Sequence, residues 1–93
     1  MEKEKIRFIL SEIRERLASN AHVSWAGWMA YLFENSRQNK NGSVTIPKYL
    51  VDRWVRQMKT NFEDLSKKEQ ESDYIEADRI MNLLRACLTN EKR

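Results

Sequence analysis

The chain has 93 residues, of which 41% are hydrophobic and 33% charged, and its formal net charge is +3. This length allows one small domain, and this composition is globular rather than disordered. No apolar run approaches the roughly 20 residues of a membrane span, and the charged start Met-Glu-Lys-Glu-Lys does not fit a signal peptide. The single cysteine, Cys87, excludes an internal disulfide and fits a reducing compartment. We therefore expect a cytoplasmic protein with no membrane partner.

Apolar residues spaced three and four apart predict two amphipathic helices at the start of the chain. The first covers residues 3–18, with a stripe formed by Ile6, Ile9, Leu10, Ile13 and Leu17. The second begins at Asn20 or Ser24, each a favourable N-cap, and runs to about Glu34. Near the start of that helix His22 falls on the apolar face, which predicts a partly buried, hydrogen-bonded histidine.

Residues 36–46 interrupt the helical pattern and predict an ordered loop, with room for a short β-bridge. Asn-Lys-Asn-Gly at 39–42 is turn chemistry, and Gly42 can supply a positive φ. Pro47 suits the first turn of a third helix, which runs to about Lys59. The spacing predicts that this helix directs four side chains to the core: Val51, Trp54, Val55 and Met58.

Ser66 and Glu69 form the capping-box pattern S-x-x-E, so a fourth helix is predicted to begin there. Its stripe consists of Ala77, Ile80, Met81, Leu84, Cys87 and Leu88. Asp73 projects into this stripe, where an ionised carboxylate needs a partner such as a backbone N–H group, His22 or an arginine. The prediction is an all-α, single small domain, residues 1–93, of about four helices.

The residue types argue against catalysis and metal binding. One His and one Cys cannot make a typical structural zinc site, and two glycines are too few for a phosphate-cradling loop. A nucleophilic pair of Cys87 and His22 is disfavoured because Cys87 lies on an apolar stripe. The acidic cluster of the last helix resembles a solvated face: Glu69, Glu71, Asp73, Glu76 and Asp78. We expect a non-enzymatic protein with no cofactor, no catalytic residue and no metal site.

Three features are candidates for binding, and each has a plain structural alternative. The aromatic residues Trp25, Trp28, Tyr31 and Trp54 offer stacking surfaces or simply fill the core. The basic residues Lys48, Arg53, Arg56 and Lys59 could hold phosphates or form an ordinary solvated face. The loop 36–46 could close over a ligand or merely connect two helices. Trp54 beside Arg53 combines two of these features, a combination common in nucleotide recognition.

Two stretches together resemble the Ryr domain, the small repeat named after ryanodine receptors and also found in bacterial and phage proteins. The first is Ala21-His22-Val23-Ser24-Trp25 followed by Trp28, and the second runs from Asn61-Phe62 through Leu65 to Asp73. The similarity covers about residues 21–84, and the chain also looks like short phage and prophage proteins. It departs from the family at four places: Asn61-Phe62 for Pro-Tyr, Gln70 for Lys, Tyr74 for Arg, and Met29-Ala30-Tyr31 for a Gly-rich segment.

The resemblance implies a helical module that recognises an adenine-nucleotide-like small ligand, with Trp25 stacking and with His22 and Asp73 orienting the pocket. Together with our own reading of the helical faces, the candidate ligand-binding residues are His22, Trp25, Trp28, Arg53, Trp54, Arg56 and Asp73. A phage protein of this kind could sequester a host immune signal in the host cytoplasm, an anti-defence role.

Two other function classes stay open at this point. One is a protein-interaction module or an inhibitor that docks on a host protein, or a homo-oligomer, through side chains off the apolar stripes: Phe8, Ile75 and Leu83. The other is nucleic-acid binding through the third helix, which Asp52 and the acidic last helix oppose. Nucleic-acid binding is therefore the least favoured of the three function classes.

Overall fold

The computed structural model describes residues 2–89. In chain order it contains helix α1 (Lys3–Glu34), strands β1 (Arg37–Gln38) and β2 (Val44–Thr45), helix α2 (Lys48–Met58), a short 3₁₀ helix (Phe62–Asp64) and helix α3 (Lys67–Thr89). The all-α class is confirmed, with three α-helices in the described residues instead of the four expected. None of the helices in residues 2–89 is both long enough and apolar enough to cross a membrane.

The first two predicted helices are one continuous helix, α1. Asn20 and Ser24 were predicted to cap a new helix, but both lie inside α1 and their side chains donate hydrogen bonds to Glu76 instead. Residues 18–24 contain no Gly or Pro, so nothing in the backbone requires a break. A capping residue type is thus not sufficient to start a helix where the helical backbone can simply continue.

The chain divides into two compact units. Within the described residues, unit one comprises 2–24 and 72–89, and unit two comprises Trp25–Glu71. Helix α1 contributes its first part to unit one and its last turns to unit two, while α3 contributes its first residues to unit two and the rest to unit one.

Unit one consists of helical segments of α1 and α3. Ile13 on α1 is 9% exposed and Cys87 on α3 is 4% exposed, so each stripe is confirmed at one buried position. Other members of the two stripes were expected to face the core but are exposed: Ile6, Leu10, Ala77, Met81 and Leu88. The Glu76 carboxylate accepts hydrogen bonds from Asn20 Nδ2 at 2.8 Å and from Ser24 Oγ at 2.7 Å, which joins α3 to α1. The hydrogen bonds to Glu76 therefore join the two helices at one end of unit one, and the buried side chains include Ile13 and Cys87.

Unit two begins with the last turns of α1 and a small antiparallel hairpin. Arg37 pairs with Thr45 and Gln38 with Val44, so the short β-bridge expected in the loop is confirmed. Gly42 has a φ of +90°, the left-handed region that its predicted turn needs. The Asn39 N–H donates to the Ser43 carbonyl at 2.9 Å and closes the turn.

Helix α2 begins after Pro47, whose carbonyl accepts the N–H groups of Leu50 and Val51. Its buried face follows Leu50, Trp54 and Gln57, with Leu50 only 1% exposed. The predicted core face was wrong except at Trp54, because Val51 and Val55 are each 39% exposed and Met58 is 75% exposed. Each of these three comes directly after a buried or half-buried residue, so it points about 100° away from the buried face of the helix.

The capping box at the start of α3 is confirmed. The Ser66 N–H donates to Glu69 Oε1 and the Glu69 N–H donates to Ser66 Oγ, each at 3.2 Å. Gln70 Nε2 donates to the Phe62 carbonyl at 2.9 Å and holds the preceding 3₁₀ helix against the first turn of α3. These bonds satisfy backbone groups that a helix N-terminus otherwise leaves without partners.

Candidate functional site

Three rings in unit two, which we call the aromatic cluster, consist of Trp28 and Tyr31 from α1 and Trp54 from α2. The ring centroids of Trp28 and Tyr31 are 6.4 Å apart at an interplanar angle of 86°, an edge-to-face contact. Those of Tyr31 and Trp54 are 6.3 Å apart at 57°. Rings in such arrangements attract each other through their quadrupoles, so Tyr31 connects the two tryptophans and restricts how they can turn.

The aromatic cluster is largely open to solvent. Trp28 is 57% exposed and Tyr31 40% exposed, while Trp54 is half-buried. Trp25, one helical turn before Trp28, is 58% exposed. These rings were expected either to fill the core or to offer stacking surfaces. Trp54 is partly in the core, whereas Trp25 and Trp28 are too exposed to fill it. An exposed apolar patch of this kind is typical of a binding surface.

Arg56, a predicted ligand-binding residue, has a structural partner. Its guanidinium donates both Nη1 and Nη2 to the Glu69 carboxylate, which also accepts the Ser66 N–H at the start of α3. The hydrogen bond with Glu69 raises the pKa of Arg56, and that with Arg56 is the main cause that lowers the pKa of Glu69. Arg56 therefore joins α2 to the first turn of α3, and its charge is already balanced within unit two.

The other basic side chains of α2 differ in what they contact. Lys48 Nζ lies 2.8 Å from the Asp52 carboxylate one turn along, so Asp52 partly neutralises it. Arg53 and Lys59 are exposed. Arg53 directly precedes Trp54 in the sequence, so the two side chains leave α2 about 100° apart.

His22 and Asp73, the residues given an orienting role by the Ryr resemblance, belong to unit one, whereas Trp25 belongs to unit two. The meeting of these three side chains stays a prediction. His22 was expected to be partly buried near a helix start, which is wrong: it is exposed and lies inside α1. Asp73 was expected inside the apolar stripe of α3 and is exposed as well.

The carboxylate that occupies the stripe is Glu76, one turn after Asp73. The hydrogen bonds from Ser24 and then Asn20 are the main causes that lower the pKa of Glu76 below its usual range. Arg79 Nη1 lies 3.4 Å away. The acidic cluster is therefore not uniformly solvated, because Glu69 and Glu76 are half-buried and hydrogen-bonded. Asn20 and Ser24, spaced four apart on one helix face, were the available sequence signal for this contact.

Of the residues expected in an interaction surface, Phe8 is 70% exposed and Ile75 is 56% exposed, as predicted. Leu83 is half-buried, so its placement off the stripe was wrong. The loop 36–46 makes its own hydrogen bonds, from Asn39 Nδ2 to Ser43 Oγ at 3.0 Å and to Thr45 Oγ1 at 3.1 Å. These bonds indicate that the loop forms an ordered hairpin between α1 and α2.

Within residues 2–89, no group of three or more His, Cys, Asp or Glu side chains could hold a metal ion. The chemistry that the aromatic cluster offers is thus stacking on exposed rings. The same unit also contains the exposed guanidinium of Arg53 and a polar hairpin. No protein-family model, curated protein or solved structure matches the chain.

Proposed function

We propose that this chain is a non-enzymatic binding protein that holds a nucleotide-derived small ligand on the aromatic cluster. The observation that carries the proposal is that Trp28 is 57% exposed while its ring contacts Tyr31, which in turn contacts Trp54. A ring that is held in place and open to solvent is prepared for stacking, because little side-chain freedom is lost when a base binds to it.

The ligand class follows from the neighbouring charge. Base stacking on an aromatic side chain contributes about 1–3 kcal/mol, and a hydrogen bond to a charged group about 1.5–3 kcal/mol. Arg53 is exposed and adjacent to Trp54 in the sequence, and in the proposal it supplies this charged donor by reaching along α2 to the phosphate. Taken as net contributions, these two contacts sum to about 2.5–6 kcal/mol, which corresponds to a dissociation constant on the order of 0.04–15 mM for a mononucleotide.

The remaining candidates enter the proposal in defined roles. Trp25 extends the stacking surface by one helical turn, and Arg56 keeps α2 and α3 in register through Glu69. His22 and Asp73 have only the orienting role that the Ryr resemblance implies. A non-enzymatic binder holds one ligand per site and does not turn it over. We therefore propose that this chain is a phage protein that sequesters a nucleotide signal of the host.

Titration of ¹⁵N-labelled protein with AMP, adenosine, ATP and cyclic nucleotides tests this proposal. The three indole N–H resonances report on Trp25, Trp28 and Trp54 separately. We expect those of Trp28 and Trp54 to shift with AMP. The Arg53→Gln variant should bind AMP about tenfold more weakly, because it loses a charge-assisted contact to the phosphate. Arg37→Gln, an exposed arginine on β1, is the matched control and should bind normally. Unshifted indoles across the panel would contradict the proposal.

The second candidate function is docking on a host protein, favoured by apolar side chains that α2 exposes. Met58 is 75% exposed and Tyr49 is 62% exposed, and exposed aromatic residues and methionine are enriched in protein interfaces. If the nucleotide panel fails, a partner retained by the wild-type chain and by Lys40→Glu but lost by Met58→Glu would establish this second function.

A further inference from the structure

Helix α3 carries two adjacent heptad seams in unit one. The first is Glu76, Ile80, Leu83 and Cys87, and the second is Ala77, Met81, Leu84 and Leu88, each with spacings of four, three and four residues. Such spacing places all members of a seam on one side of a helix that packs lengthwise against another. A helix with two neighbouring seams has the pattern of a bundle helix that contacts two others.

Only the first seam is covered within unit one. Cys87 is 4% exposed, Ile80 and Leu83 are half-buried, and Glu76 bonds to α1. In the second seam Met81 is 52% and Leu88 57% exposed, Ala77 is exposed and Leu84 is half-buried. The second seam therefore lies open beside the first.

We propose that the second seam binds its counterpart on a second copy of this chain, antiparallel and around a two-fold axis. Such a contact is self-complementary. In the register centred between residues 82 and 83, Ala77 packs against Leu88 of the other copy and Met81 packs against Leu84. The symmetry repeats both layers, so a small side chain meets a large one at each end of the seam.

Charge complementarity selects this orientation. Asp78 and Arg85 are both exposed. Asp78 comes directly after Ala77 and Arg85 directly after Leu84, so both charges lie along the same edge of the second seam. In the antiparallel register Asp78 of each copy lies beside Arg85 of the other, which gives two opposite-charge pairs. A parallel pairing would instead place Asp73 beside Asp78 of the other copy, where like charges repel. Arg85 Nη1 donates to Asn82 in the single chain, an exposed contact that the guanidinium can exchange for Asp78.

In the proposed dimer α1 also contributes to the interface, because the second seam alone is too small for a stable dimer. A stable interface hides about 800 Å² on each partner, from 20 or more residues. The second seam spans only residues 77–88, about 18 Å of helix. On α1, Ile6 is 41% and Leu10 57% exposed, although both belong to the predicted apolar stripe. The proposed dimer is thus a bundle of four helices, two from each unit one.

Sedimentation velocity of the full chain tests this dimer at concentrations on the order of 1–100 µM. Wild type should sediment as a species of twice the 11.2 kDa chain mass. Met81→Glu should sediment as a monomer, whereas Ile75→Glu should stay dimeric, because Ile75 lies off the seam on the same helix at a similar exposure of 56%. A wild type that is monomeric throughout, or equal behaviour of the two variants, would overturn the proposal.

The charge pair gives a second, independent comparison that spares the apolar surface. Asp78→Arg alone and Arg85→Asp alone should each raise the dimer dissociation constant about tenfold, since two attractive pairs become repulsive. The double swap should restore it, because opposite charges again face each other. Circular dichroism checks that every variant keeps its helices. Failure of the double swap to restore dimerisation, or dissociation by Phe8→Glu instead, would refute this seam and register. The nucleotide proposal rests on unit two and is not affected by either result.

Discussion

Replacing Leu50 with Ala removes the side chain with the lowest exposure in unit two, 1%. Three carbon atoms are lost, and at about 0.8 kcal/mol for each buried methylene the lost transfer free energy is about 2.4 kcal/mol. The remaining cavity adds on the order of 1 kcal/mol, because a neighbourhood of half-exposed side chains collapses partly into it. We expect the free energy of unfolding to fall by about 3 kcal/mol.

Urea unfolding followed by tryptophan fluorescence measures this loss where it occurs, since Trp25, Trp28 and Trp54 all lie in unit two with Leu50. With a slope of about 1.5 kcal/mol per molar urea, the midpoint should fall by about 2 M. Met58→Ala on the same helix, at a residue 75% exposed, is the control and should change stability by less than about 0.5 kcal/mol. Equal shifts for the two variants would mean that Leu50 is not the centre of a core.

Three further predictions concern the polar and backbone features of the fold. Glu76→Gln should lower the melting temperature at pH 7, and its difference from wild type should shrink as the pH falls into the acidic range: the hydrogen bonds from Ser24 and Asn20 lower the pKa of Glu76, so their stabilisation is present above the unfolded value of about 4.3 and is lost as pH falls through the folded pKa. Thermal circular dichroism across this range measures the difference, and a gap independent of pH would contradict the assignment. Ser66→Ala should destabilise the protein by about 1 kcal/mol in urea through loss of the cap, whereas Ser66→Asp should keep most of it. Gly42→Ala should lower the free energy of unfolding by about 1–2 kcal/mol, because an alanine at φ +90° is strained. A Cβ at this position meets no atom within 4 Å, so steric contact adds nothing to this loss. An unchanged urea midpoint would exclude a strained turn.

The sequence predicted well those features that depend on local chemistry. Gly42 at the turn, the capping box at Ser66 and the apolar stripe around Ile13 all depend on residues within a few positions of each other. Pro47 precedes α2 as its fixed φ and missing N–H suggest. A short β-bridge was expected within the loop 36–46, but its two strands were not identified, because β1 has no strand signal of its own.

What the sequence could not predict depends on contacts between distant segments. Asn20 and Ser24 have the chemistry of N-caps, but both lie inside α1, where their side chains donate hydrogen bonds to Glu76 more than fifty residues away. The face that α2 buries was misplaced by one residue, because Leu50 and Val51 are equally apolar in a helical projection. The candidate site shows the same limit: an exposed Trp28 and a salt-bridged Arg56 cannot be distinguished from a buried ring and a solvated cation by spacing alone.

The central claim is that the exposed aromatic cluster binds a nucleotide-type ligand, and native mass spectrometry tests it most directly. The protein is purified from bacteria without nucleotide and its spectrum is recorded alone and with AMP, beside the Trp28→Ala variant, whose exposed side chain should be removable without loss of fold. We predict a nucleotide-sized adduct on the wild-type chain that is strongly reduced on Trp28→Ala. Spectra that show the bare protein in every case, or equal adducts on both chains, would contradict the account.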